Sequence, residues 1–290
     1  MNQLITILGP TATGKTSLAA GIASLIGGEI ISADSRQVYR GMNLGTGKDL
    51  DDYIVEGKEI PYHLIDIQDP GYEYNIFEFQ NDFVKSYNRI LQNESIPILC
   101  GGSGMYLDSI LRAYKMKDAP ANTKLREELS KLNHEKLLAR LKSVSALHNT
   151  TDTLNTERLI RSIEIAEADI NNQQTFDFLN GIRSVNFGVL FNRTDLRNRI
   201  TSRLSQRLDE GMIDEVAKLL EKGFTEDQLM FYGLEYKYLT LHVAGKLSFD
   251  EMFDKLNTAI HQFAKRQMTW FRRMEKNGIR INWMDGDLSL

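Results

Sequence analysis

Residues 9–16 read GPTATGKT, directly after the apolar run LITIL (residues 4–8) and directly before SLAAGIASLI (residues 17–26). The spacing is G-x-x-x-x-G-K-[ST], and its setting of strand, loop and helix makes it a phosphate-binding P-loop. Backbone N–H groups and a helix N-terminus surround a phosphate, a lysine neutralises its oxygens, and a hydroxyl meets a bound Mg²⁺. Gly9, Pro10, Thr11, Ala12, Thr13, Gly14, Lys15 and Thr16 are therefore assigned to a diphosphate or nucleotide, with Thr16 as the metal contact. The motif specifies a phosphate chain without specifying ATP, because it serves phosphoryl transfer and the departure of an intact diphosphate equally well.

Strand candidates recur at Gln3–Leu8, Glu29–Ser32, His63–Ile67, Ile96–Cys100, Asn186–Phe191 and Ile279–Trp283, with amphipathic helices such as Thr16–Leu25 and Ile76–Gln92 between them. This alternation predicts an α/β fold with a parallel sheet flanked by helices. From about Lys115 to Arg183 the periodicity is helical, which predicts an α-helical insertion, with KMKDAPAN (residues 115–122) as its clearest boundary signal. The expected organisation is a catalytic core of residues 1–114 and 185–290 and an insertion domain of residues 115–184.

The chain carries a net charge of −4, so no global positive field attracts a polyanion and any such binding must come from local basic patches. Two exist. Arg199, Arg203 and Arg207 recur every four residues and share a helix face, and KRQMTWFRR (residues 265–273) interleaves cations with two aromatics, a pattern suited to RNA phosphates and bases. Either segment alone reads more readily as a solvated face, whereas the two together, beside a P-loop, favour a polyanion partner. No apolar run approaches the roughly 20 residues of a membrane helix, the chain opens on a strand without the pattern of a signal peptide, and it has one cysteine; a cytoplasmic protein is expected. Cys100 reads as a small buried hydrophobe, and Met116, Met212 and Met230 as packing. His63, His134, His148 and His242 lack partners at zinc-ligand spacing.

SADSRQVYRGMNLGTGK (residues 32–48) places an aspartate at a strand end beside the phosphate site, and GGSGMYL (residues 101–107) lets backbone approach a ligand. Together with GPTATGKT, HLIDI (residues 63–67) with the aromatic-rich helix after it, and FAKRQMTWFRR (residues 263–273), these motifs closely resemble the tRNA dimethylallyltransferase family, in its order and over nearly the whole chain. The resemblance implies a P-loop NTPase-like core whose helical insertion grips the anticodon stem-loop. It implies transfer of a dimethylallyl group from dimethylallyl diphosphate to the exocyclic N6 amine of the adenosine 3′-adjacent to the anticodon in tRNA, releasing diphosphate. Mg²⁺ is the expected cofactor and a monomer the expected state.

The residue roles the resemblance carries are specific. Asp34 is the general base; Thr11, Gly14, Lys15 and Thr16 hold the diphosphate; Arg203 neutralises the leaving group. Asp34, Ser35, Arg36 and Gln37 meet a flipped-out base, and Ser103 lines the channel where the substrates meet. Arg126, Glu157, Arg158, Arg161 and Gly233, the last within Phe231–Glu235, match segments that touch tRNA, and Lys265, Arg266 and Gln267 come from the basic block. The sequence departs from the pattern at Ser103, where threonine is usual, at Arg36, at His261, in ADINNQQ (residues 168–174) and in Tyr232-Gly233-Leu234-Glu235. Two other readings fit the P-loop: a small-molecule kinase, with Asp34 activating a hydroxyl, and a noncatalytic RNA-binding protein.

Overall fold

The computed structural model describes residues 3–117, 119–144, 155–168 and 173–287. The chain divides into two compact units, Met1–Ala113 with Phe178–Leu290, and Tyr114–Asp177. In the first, β1 (Gln3–Leu8) leads through the P-loop into α1 (Lys15–Ile26) and β2 (Gly28–Ser32). A small antiparallel pair follows, β3 (Ile54–Val55) and β4 (Lys58–Glu59), then β5 (Tyr62–His63), α2 (Ile76–Gln92), β6 (Ile96–Gly101) and α3 (Gly104–Leu111). The second unit contains α4 (Thr123–Leu129), α5 (His134–Val144) and α6 (Thr156–Glu167), and α7 (Gln173–Asn180) leads the chain on to β7 (Arg183–Leu190). The remaining elements are α8 (Arg193–Asp209), α9 (Met212–Glu221), α10 (Glu226–Phe231), α11 (Leu234–Val243), α12 (Phe249–Lys276) and β8 (Asn282–Asp285).

Among the described residues six strands form one parallel sheet in the order β5-β2-β6-β1-β7-β8, flanked by helices, the α/β architecture that the sequence predicts. β1 is central because it is apolar enough to be covered on both faces: Leu4, Ile7 and Leu8 are all fully buried. α1 presents Ala19, Ala20 and Ala23 to Ile7, Ile30 and Ile98, and these short side chains let the helix approach the sheet closely. The strand order reverses around β1. The chain goes from β1 to β2 on one side, returns to fill β6 between them, and continues to β7 and β8 on the other side. A crevice opens beyond the carboxyl ends of strands at such a switch point. The P-loop after β1 and Gly101–Gly104 after β6 both border it.

Three strands differ from expectation. β7 begins at Arg183 and not at Asn186, because Gln3–Ile5 of β1 give it parallel partners from there. β5 stops at His63 because Leu64 and Asp66 take φ of 64° and 53°, which breaks extended pairing, and Asp66 meets the buried ammonium of Lys48. β8 starts at Asn282, not Ile279, since the Gly278 and Ile279 N–H groups are bonded back to the Glu275 and Met274 carbonyls at the end of α12. The β3–β4 pair is too short to leave a periodic signal. In the second unit, α4, α5 and α6 enclose Leu129, Leu137, Leu141, Leu159 and Ile163. Asp118 of the boundary segment, residues 169–172 of ADINNQQ, and His148 lie outside the described residues. Among the described residues no helix is long and apolar enough to cross a membrane.

Candidate active site

The P-loop is built from backbone that few sequences could follow. Ala12 and Gly14 take φ of 64° and 72°, which coils the chain tightly between β1 and α1, and Gly14 caps α1 with no side-chain hydrogen bond, the kind of turn that binds anions. Thr13 fixes the coil by donating its hydroxyl to the Pro10 carbonyl at 2.9 Å, and Lys15 Nζ reaches the same carbonyl at 3.4 Å. Arg199 braces the far side: its Nε donates to the Ala12 carbonyl at 2.9 Å while its guanidinium lies 4.4 Å from the centre of the Phe191 ring. Burial lowers the Lys15 ammonium from its ordinary pKa; Cys100, Asp34 and Asp49 oppose this and Arg203 adds to it. A bound polyanion would relieve the cost of that buried charge. Cys100 is the packing residue that the sequence suggests, with burial pushing its thiol up to about 12.

The aspartate loop and the Gly-Gly turn are zipped together at the ends of β2 and β6. Ala33 N donates to the Cys100 carbonyl at 2.7 Å and Ser103 N to the Ala33 carbonyl at 3.2 Å. A Cβ at Gly101 would sit 2.3 Å from the Ala33 oxygen, so no other residue fits there. Ser103 Oγ accepts the Ser35 N–H at 3.1 Å, and Asp34 Oδ1 accepts the Arg36 N–H at 3.0 Å, which fixes the carboxylate in the cleft. Gln37 is used inside the protein, accepting from Ser32 Oγ and donating to the Gly47 carbonyl, both at 3.0 Å. Arg36 lies 5.2 Å from the centre of the Phe231 ring, beside Gly233, which caps α11.

On the opposite wall, Arg203 and Arg207 share Asp49: Arg203 bonds one carboxylate oxygen, and Arg207 donates to the other at 2.7 Å. Burial works to raise the Asp49 carboxyl, and Arg207 and Arg203 outweigh it, holding its pKa below the usual range. Asp49 is not among the residues that the sequence singles out, and Arg207 stands there only as part of a basic helix face, since the partners are far apart in the chain. The same holds for Glu215, whose carboxylate collects the N–H groups of Asn43, Leu44 and Gly45 at 2.9, 2.9 and 3.0 Å and so holds that loop.

These groups surround one cleft of about 1180 Å³, lined by Thr11, Lys15, Thr16, Asp34, Ser35, Arg36, Gln37, Ser103, Arg203, Gly233, Arg266 and Gln267 among others. Its size exceeds the usual small-ligand pocket, leaving room for a phosphate chain and a base together. Gln267 is buried and its amide is engaged internally, whereas Lys265 and Arg266 are exposed on α12. Arg126, Glu157, Arg158 and Arg161 belong to the second unit; Arg126 and Arg161 both pair with the buried Glu164, while Glu157 and Arg158 are exposed. His261 packs on α8 through Thr201 at 3.4 Å.

For a metal, the hydroxyls of Thr16 and Ser17 and the carboxylate of Asp52 are hard oxygen donors on this cleft, with Ser17 Oγ donating to Asp52 at 2.7 Å. Among the described residues no cluster of three or more histidine, cysteine or acidic side chains forms a metal cage. This donor set fits Mg²⁺ held largely by phosphate oxygens and water.

Residues 37–274 match the model of the IPP transferase family, and residues 2–67 that of isopentenyl transferase. tRNA dimethylallyltransferase 2 of Phocaeicola vulgatus is 54% identical over 288 residues, covering 99% of this chain and 94% of that protein. The tRNA isopentenylpyrophosphate transferase of Bacillus halodurans superposes with a TM-score of 0.71 at 30% identity, over 100% of this chain and 92% of that one. A eukaryotic dimethylallyltransferase acting on tRNA shares the fold, with a TM-score of 0.77 at 20% identity over 99% of this chain and 74% of that one. With a P-loop, an acid and paired arginines on one cleft, and with that likeness running through almost the entire sequence, the chain belongs to the IPP transferase family and is a transferase.

Proposed function

We propose that the enzyme transfers a dimethylallyl group from dimethylallyl diphosphate to N6 of the adenosine 3′-adjacent to the anticodon in tRNA. The observation that carries this reading is that Asp34 shares one cleft with Lys15, Thr16 and Arg203, so a proton acceptor faces a diphosphate site. The adenine amine is a weak nucleophile because its lone pair is delocalised into the ring. As N6 bonds to the allylic carbon, the carbon–oxygen bond breaks and its electron pair leaves with the diphosphate; the amine then sheds a proton to Asp34. Lys15, the P-loop N–H groups and Arg203 stabilise the charge that develops on the leaving group. Mg²⁺, held by Thr16 and the diphosphate with Ser17 and Asp52 nearby, would neutralise further charge there.

A kinase reading has less support. The relatives and the solved structures that match this chain over nearly its whole length at 30% identity or more are named for dimethylallyl or isopentenyl transfer to tRNA, not for phosphoryl transfer. On the RNA side, Arg36 with Phe231, the exposed Lys265 and Arg266, and Arg158 in the helical unit offer cations and a stacking face. Isotope transfer tests the function: label moving from the allyl group of dimethylallyl diphosphate to tRNA supports it, and label moving from the γ-phosphate of ATP to a small acceptor overturns it.

A further inference from the structure

The cleft holds a second carboxyl for which the proposed reaction has no role. Glu235 lies in the first turn of α11, half-buried, and lines the same cleft as Asp34 and Arg36. Its surroundings are fixed: the Tyr236 hydroxyl donates to Glu215 Oε1 at 2.5 Å, and Tyr232 meets Tyr39 edge-on with ring centres 4.8 Å apart. Among the described residues no other side chain hydrogen-bonds or ion-pairs with the Glu235 carboxyl, and its own backbone N–H is its partner. A Cβ placed on Gly233 would lie 3.8 Å from Glu235 Oε2 and 3.9 Å from Arg36 Nε, which puts the carboxyl beside the loop assigned to the acceptor base.

Charges act on it from several elements: Arg207 and Arg203 from α8 and Asp34 from the end of β2, while Arg36 and Lys237 line the same cleft. Glu215 of α9 is turned instead toward the N–H groups of Asn43–Gly45 and the Tyr236 hydroxyl. Burial raises the Glu235 pKa above the ordinary glutamate value; its own N–H, Arg207 and Arg203 work against that rise and Asp34 works with it. A half-buried acid held this way, with no side-chain partner of its own, has hydrogen-bonding capacity for a ligand.

We propose that Glu235 is an acceptor-binding residue that hydrogen-bonds the reacting edge of the flipped-out adenine. The inference rests on the proposed prenyl transfer to adenosine and adds a second contact to it. The N6 amine has two hydrogens: Asp34 takes one as the bond forms, and the Glu235 carbonyl oxygen accepts the other. In its neutral form the same carboxyl also donates its O–H to the adjacent ring nitrogen, N1, so acceptor and donor match the two neighbouring groups of the base.

The test is a binding cycle between residue and base. Affinities of the wild type and Glu235→Met are measured for an unmodified anticodon stem-loop RNA carrying either adenosine or purine riboside, which lacks the amine, at the acceptor position. Methionine keeps the size and removes both hydrogen-bonding functions. We expect Glu235→Met to weaken the adenosine RNA by about tenfold and the purine RNA, which keeps only the N1 contact, by less. Glu235→Gln, which keeps a donor and an acceptor, should restore most of the loss. Equal losses for both RNAs, or no loss, overturn the proposal. So does a change confined to KM for the allyl diphosphate, which would make Glu235 a counter-charge for Arg203 and Arg207. Wild-type failure to prenylate the adenosine RNA would instead count against the proposed function, and the cycle would still report on the base contact.

Discussion

Oε1 of Gln267 accepts the backbone N–H of Thr11 at 2.9 Å, joining the P-loop to α12 across 256 positions of sequence. The other end of the same amide donates to the Gly102 carbonyl at 2.9 Å, so one side chain holds the phosphate loop and the Gly-Gly turn at a fixed spacing. Gln267→Leu leaves both backbone groups without their partner at roughly 1–3 kcal/mol each. The expected outcome is a loss of about 2 kcal/mol or more in denaturant unfolding, with a raised KM for the allyl diphosphate. Gln267→Glu should keep the Thr11 contact and still weaken diphosphate binding, because it loses the donor and adds a negative charge.

Lys15→Ala should weaken dimethylallyl diphosphate by about 1.5–3 kcal/mol, the range for a charge-assisted hydrogen bond, and slow turnover. Titration calorimetry with and without Mg²⁺ measures it. Unchanged affinity would remove the P-loop from the reaction.

Much of this arrangement was legible in the sequence because it rests on local signals. GPTATGKT sets the strand, the loop and the helix in eight consecutive residues, and the apolar run before Asp34 places that acid at a neighbouring strand end. The partners that position these groups were not legible, because each joins segments distant in sequence. Asp49 is separated from Arg203 and Arg207 by a strand crossover and the second unit; nothing in GTGKD or RLSQR announces the pair. Gln267 sits in a segment whose charges point to RNA, and only the fold shows its amide turned inward. The end of β5 was missed for another reason: HLIDI is apolar enough for a strand, and neither the positive φ of Leu64 and Asp66 nor the tertiary contact of Asp66 with Lys48 leaves a local signal.

Glu164 gives the helical unit an acid-dependent stability. Burial works to raise its carboxyl, but hydrogen bonds from Arg126, the Asn122 N–H and Arg161 prevail and hold it at about 2, against an ordinary 4.5. A folded pKa below the unfolded one contributes stability above about pH 4.5 that is lost as the pH falls toward 2. The contribution is on the order of 3 kcal/mol. Glu164→Gln should therefore unfold more easily than the wild type at pH 7, and the gap between their unfolding midpoints should shrink as the pH drops below 4.5. A gap independent of pH would assign Glu164 a packing role.

Lys265, Arg266, Arg272 and Arg273 are all exposed on α12, with Arg266 and Arg273 lying 5.8 and 5.4 Å from the centres of the Phe263 and Trp270 rings. Each one that meets the RNA backbone should, when replaced by alanine, weaken tRNA and flatten the salt dependence of binding by roughly 0.7–0.9. Filter binding across a salt series reads both quantities. Four substitutions without effect would return this face to solvent.

The central claim is that Asp34 takes the amine proton. Asp34→Asn keeps the size of the side chain and the oxygen that meets the Arg36 N–H, so both substrates should still bind. The measurement is the single-turnover rate of prenyl transfer by Asp34→Asn at saturating tRNA and saturating dimethylallyl diphosphate. A general base predicts a fall of about 10²- to 10⁴-fold in that rate. A saturated rate near the wild-type value, with the defect confined to tRNA affinity, would contradict proton abstraction by Asp34 and leave it as a base-recognition contact.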